Sequence, residues 1–179
     1  MATNFFDEWF TNNSLSTFRI IHYEAREKGR AKSDNLNDEE LKFTTMEHTD
    51  STVLTLLSTF NYPGLQVKVG DEYKSIRPKK NSLVVNLGDL FSKMTNYRLK
   101  ATLHRVLDIK VTRYSSPFFF EPYYNAKIPE QLIFKDGEKR EEKEEMKVYG
   151  DWLIEKACAK YGEFATFIEA ARKKQNQST

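Results

Sequence analysis

The feature that most constrains this chain is the grain of residues 17–122. Short apolar runs, each no longer than a strand, alternate there with turn residues. The runs are Phe18 to Tyr23, Phe43 to His48, Val53 to Leu57, Leu65 to Val67, Tyr73 to Ile76, Ser82 to Asn86, Thr102 to Val106 and Arg113 to Phe120. Pro63-Gly64, Gly70-Asp71 and Gly88 punctuate them, and Gly29 to Glu40 is polar enough for a loop. Many short strands at close spacing bury their apolar faces by closing on one another, as a sandwich, jelly roll or barrel. No long helical stretch interrupts them, which argues against a parallel βαβ sheet.

The flanks differ from this centre. Residues 1–16 carry Phe5, Phe6, Trp9 and Phe10 at helical spacing, and predict a short amphipathic helix ended by Thr11-Asn12-Asn13. Residues 123–179 begin with a mixed charge run, Lys135 to Lys147, of the kind that makes a solvated helical face. Val148, Trp152, Ile154, Cys158 and Tyr161 then give a helix an apolar side. Gly162 reads as a break, and Phe164 to Ala171 as a second helix. The organisation is therefore a short N-terminal helix (1–16), a β core (17–122) and a C-terminal helical cover (123–179).

Composition excludes some functions. A net charge of +2, from 28 basic and 26 acidic residues, gives no push toward nucleic acid or a membrane surface. Arg77-Pro78-Lys79-Lys80 is too short a basic stretch to change that, and reads as an exposed loop. No apolar run is long enough to span a membrane. The start lacks the basic flank and apolar core of a secretory signal, and Gln177-Ser178-Thr179 is no retention address. The one cysteine, Cys158, permits no internal disulfide and fits a reducing compartment. The expectation is a cytoplasmic protein.

Three histidines are present, and one lies in His48-Thr49-Asp50. On a strand edge, residues i and i+2 point to the same side, so this imidazole and carboxylate can face one ion. His104 can supply a third donor. Two His and one carboxylate leave half of an octahedron open, which suits Fe(II) that must take up a co-substrate and oxygen together. A structural zinc site would need four protein ligands, usually with thiolates, and no second Cys exists. By itself a His-x-Asp is more often a hydrogen-bonded surface pair. Farther on, Arg113-Tyr114-Ser115 puts an arginine fork and a hydroxyl on one side of a strand, a bidentate clamp for a carboxylate. Ser116 to Phe120 continues that strand into the core. An Arg-x-Ser by itself reads as a surface strand, but an arginine leading into such a run should be anchored by an anion.

Together these segments resemble the 2-oxoglutarate and Fe(II)-dependent dioxygenase superfamily, in the branch named for isopenicillin N synthase. The similarity runs through His48 to Leu57, Gly64-Leu65-Gln66-Val67, Val84 to Asp89, Met94-Thr95-Asn96, Leu103 to Val106, and Arg113 to Pro122. The resemblance implies a double-stranded β-helix, that is, a jelly-roll, cupin-like barrel, mainly β with C-terminal helices. It implies that His48, Asp50 and His104 bind Fe(II), and that Arg113 and Ser115 bind the distal carboxylate of 2-oxoglutarate. Tyr23 stands where many members have a tyrosine that touches the co-substrate, although Ile21 replaces their usual Asn. His22 reads as a core or strand-face histidine rather than a ligand. O2 is then the oxidant, with ascorbate a candidate reductant, and a small molecule is hydroxylated or desaturated.

Two alternatives stay open. One is an iron and oxygen oxidase that does not use 2-oxoglutarate. The other is a truncated barrel that binds metal or a partner without turnover. Branch members carry a long N-terminal region ahead of this part, and only about sixteen residues stand there. Its absence predicts an exposed apolar face, to be covered by an oligomer or partner. Phe118, Phe120 and Tyr124 are candidate pocket walls.

Overall fold

A computed structural model describes residues 4, 6–10, 13–25, 43–128, 147–160, 162, 166 and 168. Its strands are β1 (Thr17–Phe18), β2 (Ile21–Tyr23), β3 (Phe43–His48), β4 (Leu54–Ser58), β5 (Leu65–Val69), β6 (Glu72–Ser75), β7 (Val84–Leu87), β8 (His104–Leu107), β9 (Arg113–Phe120), β10 (Lys127–Ile128) and β11 (Lys147–Val148). Helix α1 is Asp89–Met94 and α2 is Tyr149–Lys160. The major sheet runs β1-β9-β4-β7, with β2 also on β9, and the minor sheet runs β3-β8-β5-β6. All pairings are antiparallel. Apart from the β5–β6 hairpin, the chain from β2 to β9 alternates between the two sheets, which makes a double-stranded β-helix, as the resemblance implies.

Two differences have clear causes. The predicted first strand splits into β1 and β2 because of its partner. Pro117 of β9 accepts a bond from Arg19 N at 3.0 Å, so its N–H position faces the same way. Proline has no N–H to give there, and the neighbouring chain bends at Arg19-Ile20 between the two short strands. Ser116 fills in, donating its hydroxyl to the Arg19 carbonyl at 3.0 Å.

The predicted N-terminal helix is, among the described residues, only a 3-10 turn over Asp7–Trp9. Phe10 leaves helical geometry at φ −119° and ψ 39°. The backbone beyond finds its bonds elsewhere: Tyr123 N donates to Trp9 O at 3.0 Å and Leu15 N to Pro122 O at 3.0 Å. Docking on residues 121–123 outcompetes a helix that has no capping side chain. Phe5 lies outside the described residues, as do the Gly29–Glu40 loop and the charge run short of Lys147. Helix α2 forms as predicted, but Gly162, expected to break it, is itself helical. Of the predicted second helix only Thr166 and Ile168 are described, both helical.

The densest apolar packing is not between the sheets. Trp9, Val53, Leu90, Met94, Ala126, Ile128 and Tyr149 form one buried cluster at the end where α1 and α2 meet the barrel. Side chains of this size each contribute roughly 1.5–3 kcal/mol when fully buried. Tyr149 is wholly buried and donates to Glu121 Oε1 at 2.8 Å. Burial raises the Glu121 carboxyl above the usual range for glutamate. Burial, with Glu121 beside it, raises the Tyr149 hydroxyl as well.

Between the sheets the buried residues are largely polar: Asp50, Thr55, Asn86, Arg113 and Ser115. Buried polar groups away from an apolar core mark a site rather than a scaffold. The opposite, outer face of the major sheet carries a cross-strand row of Phe18, Phe118, Leu56 and Val85, of which Phe18 and Val85 are more than half exposed. Among the described residues no helix is long and apolar enough to cross a membrane.

Candidate metal centre

His48 closes β3, His104 opens β8, and the two are direct cross-strand partners. Their ring centroids lie 4.2 Å apart. Asp50 is not on a strand edge. It stands in the bend that carries the chain from the minor to the major sheet, so the predicted convergence with His48 arises from that bend, not from the pleat.

Each donor is held by one atom and presents another. His48 Nδ1 lies 2.8 Å from the Met46 carbonyl, and His104 Nδ1 lies 2.9 Å from the Thr102 carbonyl. A carbonyl only accepts, so Nδ1 carries the hydrogen and Nε2 keeps its lone pair. Asp50 Oδ2 accepts from the Thr55 hydroxyl at 2.6 Å and from the Asn86 amide at 3.0 Å. That leaves Oδ1 facing His48 Nε2 at 3.6 Å and His104 Nε2 at 3.9 Å. One ligand atom from each of the three residues lies within 4.8 Å of the others. Two imidazole nitrogens and one carboxylate oxygen, each oriented by a partner behind it, form the donor set of a facial metal triad.

The clamp lies on the same cavity, about 640 Å³ of empty space that opens to solvent. Arg113 and Ser115 face it from β9, and both are buried. Tyr23 sits opposite Arg113 across β2 and β9, and the guanidinium lies 3.9 Å from its ring centroid. Ser115 Oγ approaches Tyr23 Oη at 3.5 Å, a long contact for two hydroxyls. Arg113 Nη2 is buried with no hydrogen-bond partner among the described residues. A buried cation with an unmet donor is costly unless an anion meets it. The triad and this orphaned donor therefore fit an Fe(II) ion and a carboxylate respectively.

The walls differ from those predicted. Phe119 lines the cavity, whereas Phe118 and Phe120 alternate to the outer face of β9. Tyr124 is exposed and donates to Asp151 at 3.0 Å. Of the two places expected for His22, the structure gives the strand face and not the core: it is exposed and stacked on Tyr114. Thr55 and Asn86, which orient Asp50, were not singled out by sequence. Only the alternation along β4 and β7 could have indicated them, since it turns both toward the interior.

The family model described as the 2OG-Fe(II) oxygenase superfamily matches residues 16–122. Clavatol oxidase claD of Penicillium crustosum is 35% identical over 126 residues, 69% of this chain and 36% of that protein. Gibberellin 20 oxidase 3 of Arabidopsis thaliana is 36% identical over 141 residues, 76% of this chain and 34% of that protein. Among solved structures, a full-length Neurospora crassa protein in complex with alpha-KG superposes with a TM-score of 0.71 at 29% identity. That match covers 90% of this chain and 49% of the Neurospora one. The chain thus spans about a third of the length of these curated relatives and about half of that solved chain.

Proposed function

This chain belongs to the 2OG-Fe(II) oxygenase superfamily, and from that premise we propose that it is the catalytic barrel of an oxygenase that consumes 2-oxoglutarate and O2 while oxidising a small molecule. One observation carries the reading. Three oriented donor atoms and a buried guanidinium, whose Nη2 meets no hydrogen-bond partner among the described residues, line a single cavity.

In this reading His48, Asp50 and His104 hold Fe(II) through Nε2, Oδ1 and Nε2. When bound, the ion supplies the one-electron and O2 chemistry that side chains lack. Arg113 binds the far carboxylate of 2-oxoglutarate through Nη2, which has no hydrogen-bond partner among the described residues, and Ser115 adds a hydroxyl. Tyr23 supports the guanidinium from below and fixes its plane. Thr55 and Asn86 keep Asp50 from swinging its second oxygen into the open face. Leu57, Val106, Pro117 and Phe119 make an apolar wall that keeps water from the reacting centre. The wall also supports a largely apolar second substrate. The ordered motifs from His48 to Pro122 support the isopenicillin N synthase-like branch, and the single cysteine supports a cytoplasmic location.

The test is an anaerobic Fe(II) titration followed by oxygen exposure with 2-oxoglutarate. The expected result is one metal equivalent and succinate release, with metal uptake lost in His48→Ala. Full iron binding by His48→Ala would overturn the triad. Iron binding without succinate would overturn the 2-oxoglutarate step.

A further inference from the structure

The segment between the two clustered ligands is gripped from outside the barrel. Thr49, which separates His48 from Asp50, donates its hydroxyl to Asp89 Oδ2 at 2.8 Å. The backbone of the same residue, Asp89 N, donates to the Asp50 carbonyl at 2.8 Å. Gly88 N and Leu90 N add bonds to Val53 O and Thr52 O. Asp89 thus holds the ligand segment with its side chain and its main chain. Its carboxylate is in turn ion-paired with Lys156 of α2 through the same Oδ2. Both side chains are about three-quarters buried, with 29% of Lys156 and 24% of Asp89 exposed. Helix α2 is fixed over α1 by Tyr149, Leu90, Met94 and Trp152, and Lys156 Nζ lies 5.3 Å from the Trp152 ring centroid.

We propose that α2 braces the metal centre through Lys156 and Asp89, which act as positioning residues for the His48–Asp50 segment. The inference rests on the metal reading of that segment. A charge-assisted pair that is mostly screened from water holds a carboxylate in one orientation more firmly than a neutral contact does. With Lys156 removed, Asp89 keeps Thr49 only as one option among several rotamers. The ligand pair then loses the fixed geometry that makes binding tight. Asp89 and Lys156 touch no donor side chain, so their effect must appear in metal affinity and ligand-field geometry, not in the chemistry itself.

The experiment is an anaerobic titration of the full chain with Co(II), whose visible bands report coordination geometry. Wild type, Lys156→Met, Lys156→Arg, Asp89→Asn and His48→Ala are compared, and urea unfolding of each metal-free form is measured alongside. The expected result is a rise in the Co(II) Kd of roughly tenfold or more for Lys156→Met and Asp89→Asn, within the range for lost outer-shell partners. Their bands shift, and Lys156→Arg restores the wild-type values. If Lys156→Met lowers metal-free stability but keeps the wild-type Kd and spectrum, α2 is mere packing and the brace is overturned. If wild type takes up no Co(II), or His48→Ala binds as tightly as wild type, the site reading fails first and the brace falls with it.

Discussion

Gly88→Ala should be among the most damaging single-methyl additions available to this fold. Gly88 has φ −95° and ψ 175°, ordinary extended backbone that alanine adopts without strain. Space decides the outcome instead. A Cβ built there would lie 2.0 Å from the Thr52 carbonyl oxygen, 2.6 Å from Thr52 Oγ1 and 2.7 Å from the Thr52 carbonyl carbon. Even weak C–H···O contacts keep carbon about 3.3 Å from oxygen, so the Thr52 peptide must retreat by roughly 1 Å or more. That retreat breaks Leu90 N to Thr52 O, now 3.2 Å, and strains Gly88 N to Val53 O, now 3.0 Å. Overpacking costs about 1–3 kcal/mol, and each lost backbone bond costs about 0.5–1.5 kcal/mol. Restricting the unfolded chain returns only about 0.4–1 kcal/mol. The net loss is about 3 kcal/mol, or roughly 6–12 °C in Tm for a chain of this size. Urea unfolding of the metal-free protein, followed by fluorescence of the buried Trp9, measures it. Gly70→Ala is the control: nothing lies within 4 Å of its Cβ, and only its φ of +63° opposes the change, at about 1–2 kcal/mol. A loss under about 1 kcal/mol for Gly88→Ala would refute the reasoning, because the close approach would then be readily relieved.

Three further outcomes are expected. Arg113→Met should leave metal uptake intact and weaken 2-oxoglutarate binding by at least tenfold, read by calorimetry with Mn(II) in the site; a buried charged pair costs more than the 1.4 kcal/mol that tenfold requires. Asn86→Ala should lower metal affinity by roughly 10–100-fold while Asp50 itself remains, because only the bond to Oδ2 is lost. Glu121→Gln should gain stability relative to wild type as pH rises. The folded carboxyl titrates above its unfolded value of 4.5, so its contribution is present below that pH and is lost as pH climbs through the raised folded value. Urea midpoints of the two proteins between pH 4 and 8 should therefore diverge upward, and parallel curves would exclude the effect.

Much of the site was legible because its chemistry is local in sequence. His48 and Asp50 are two residues apart, Arg113 and Ser115 are two apart, and short strand-like runs lie beside both pairs. The barrel followed from the same runs. What stayed hidden depends on contacts between distant segments. Nothing near Asn86 or Thr55 announces that both will meet Asp50 Oδ2. Nothing near Lys156 announces Asp89. The N-terminal aromatics have helical spacing, but residues 121–123 offer their backbone a better set of partners. The Phe118-Phe119-Phe120 run is apolar throughout, so composition alone could not say which ring faces inward; alternation from Arg113 and Ser115 along β9 puts Phe119 on the cavity side.

The placement of the three metal donors has a consequence for motion. His48 and His104 belong to the minor sheet, while Asp50 is tethered by Thr55 and Asn86 to the major sheet. The β3–β8 ladder beside them is interrupted by register shifts between Phe43 and Thr45 and between Thr45 and His48. An ion bound here would therefore be a clasp between the two layers, set beside the stretch where the minor sheet's own β3–β8 ladder is interrupted. Without it, that stretch should breathe. Amide hydrogens of residues 43–48 should exchange early in the metal-free protein and slow on metal addition. Those of β4 should change far less, since its ladders to β7 and β9 run without a break.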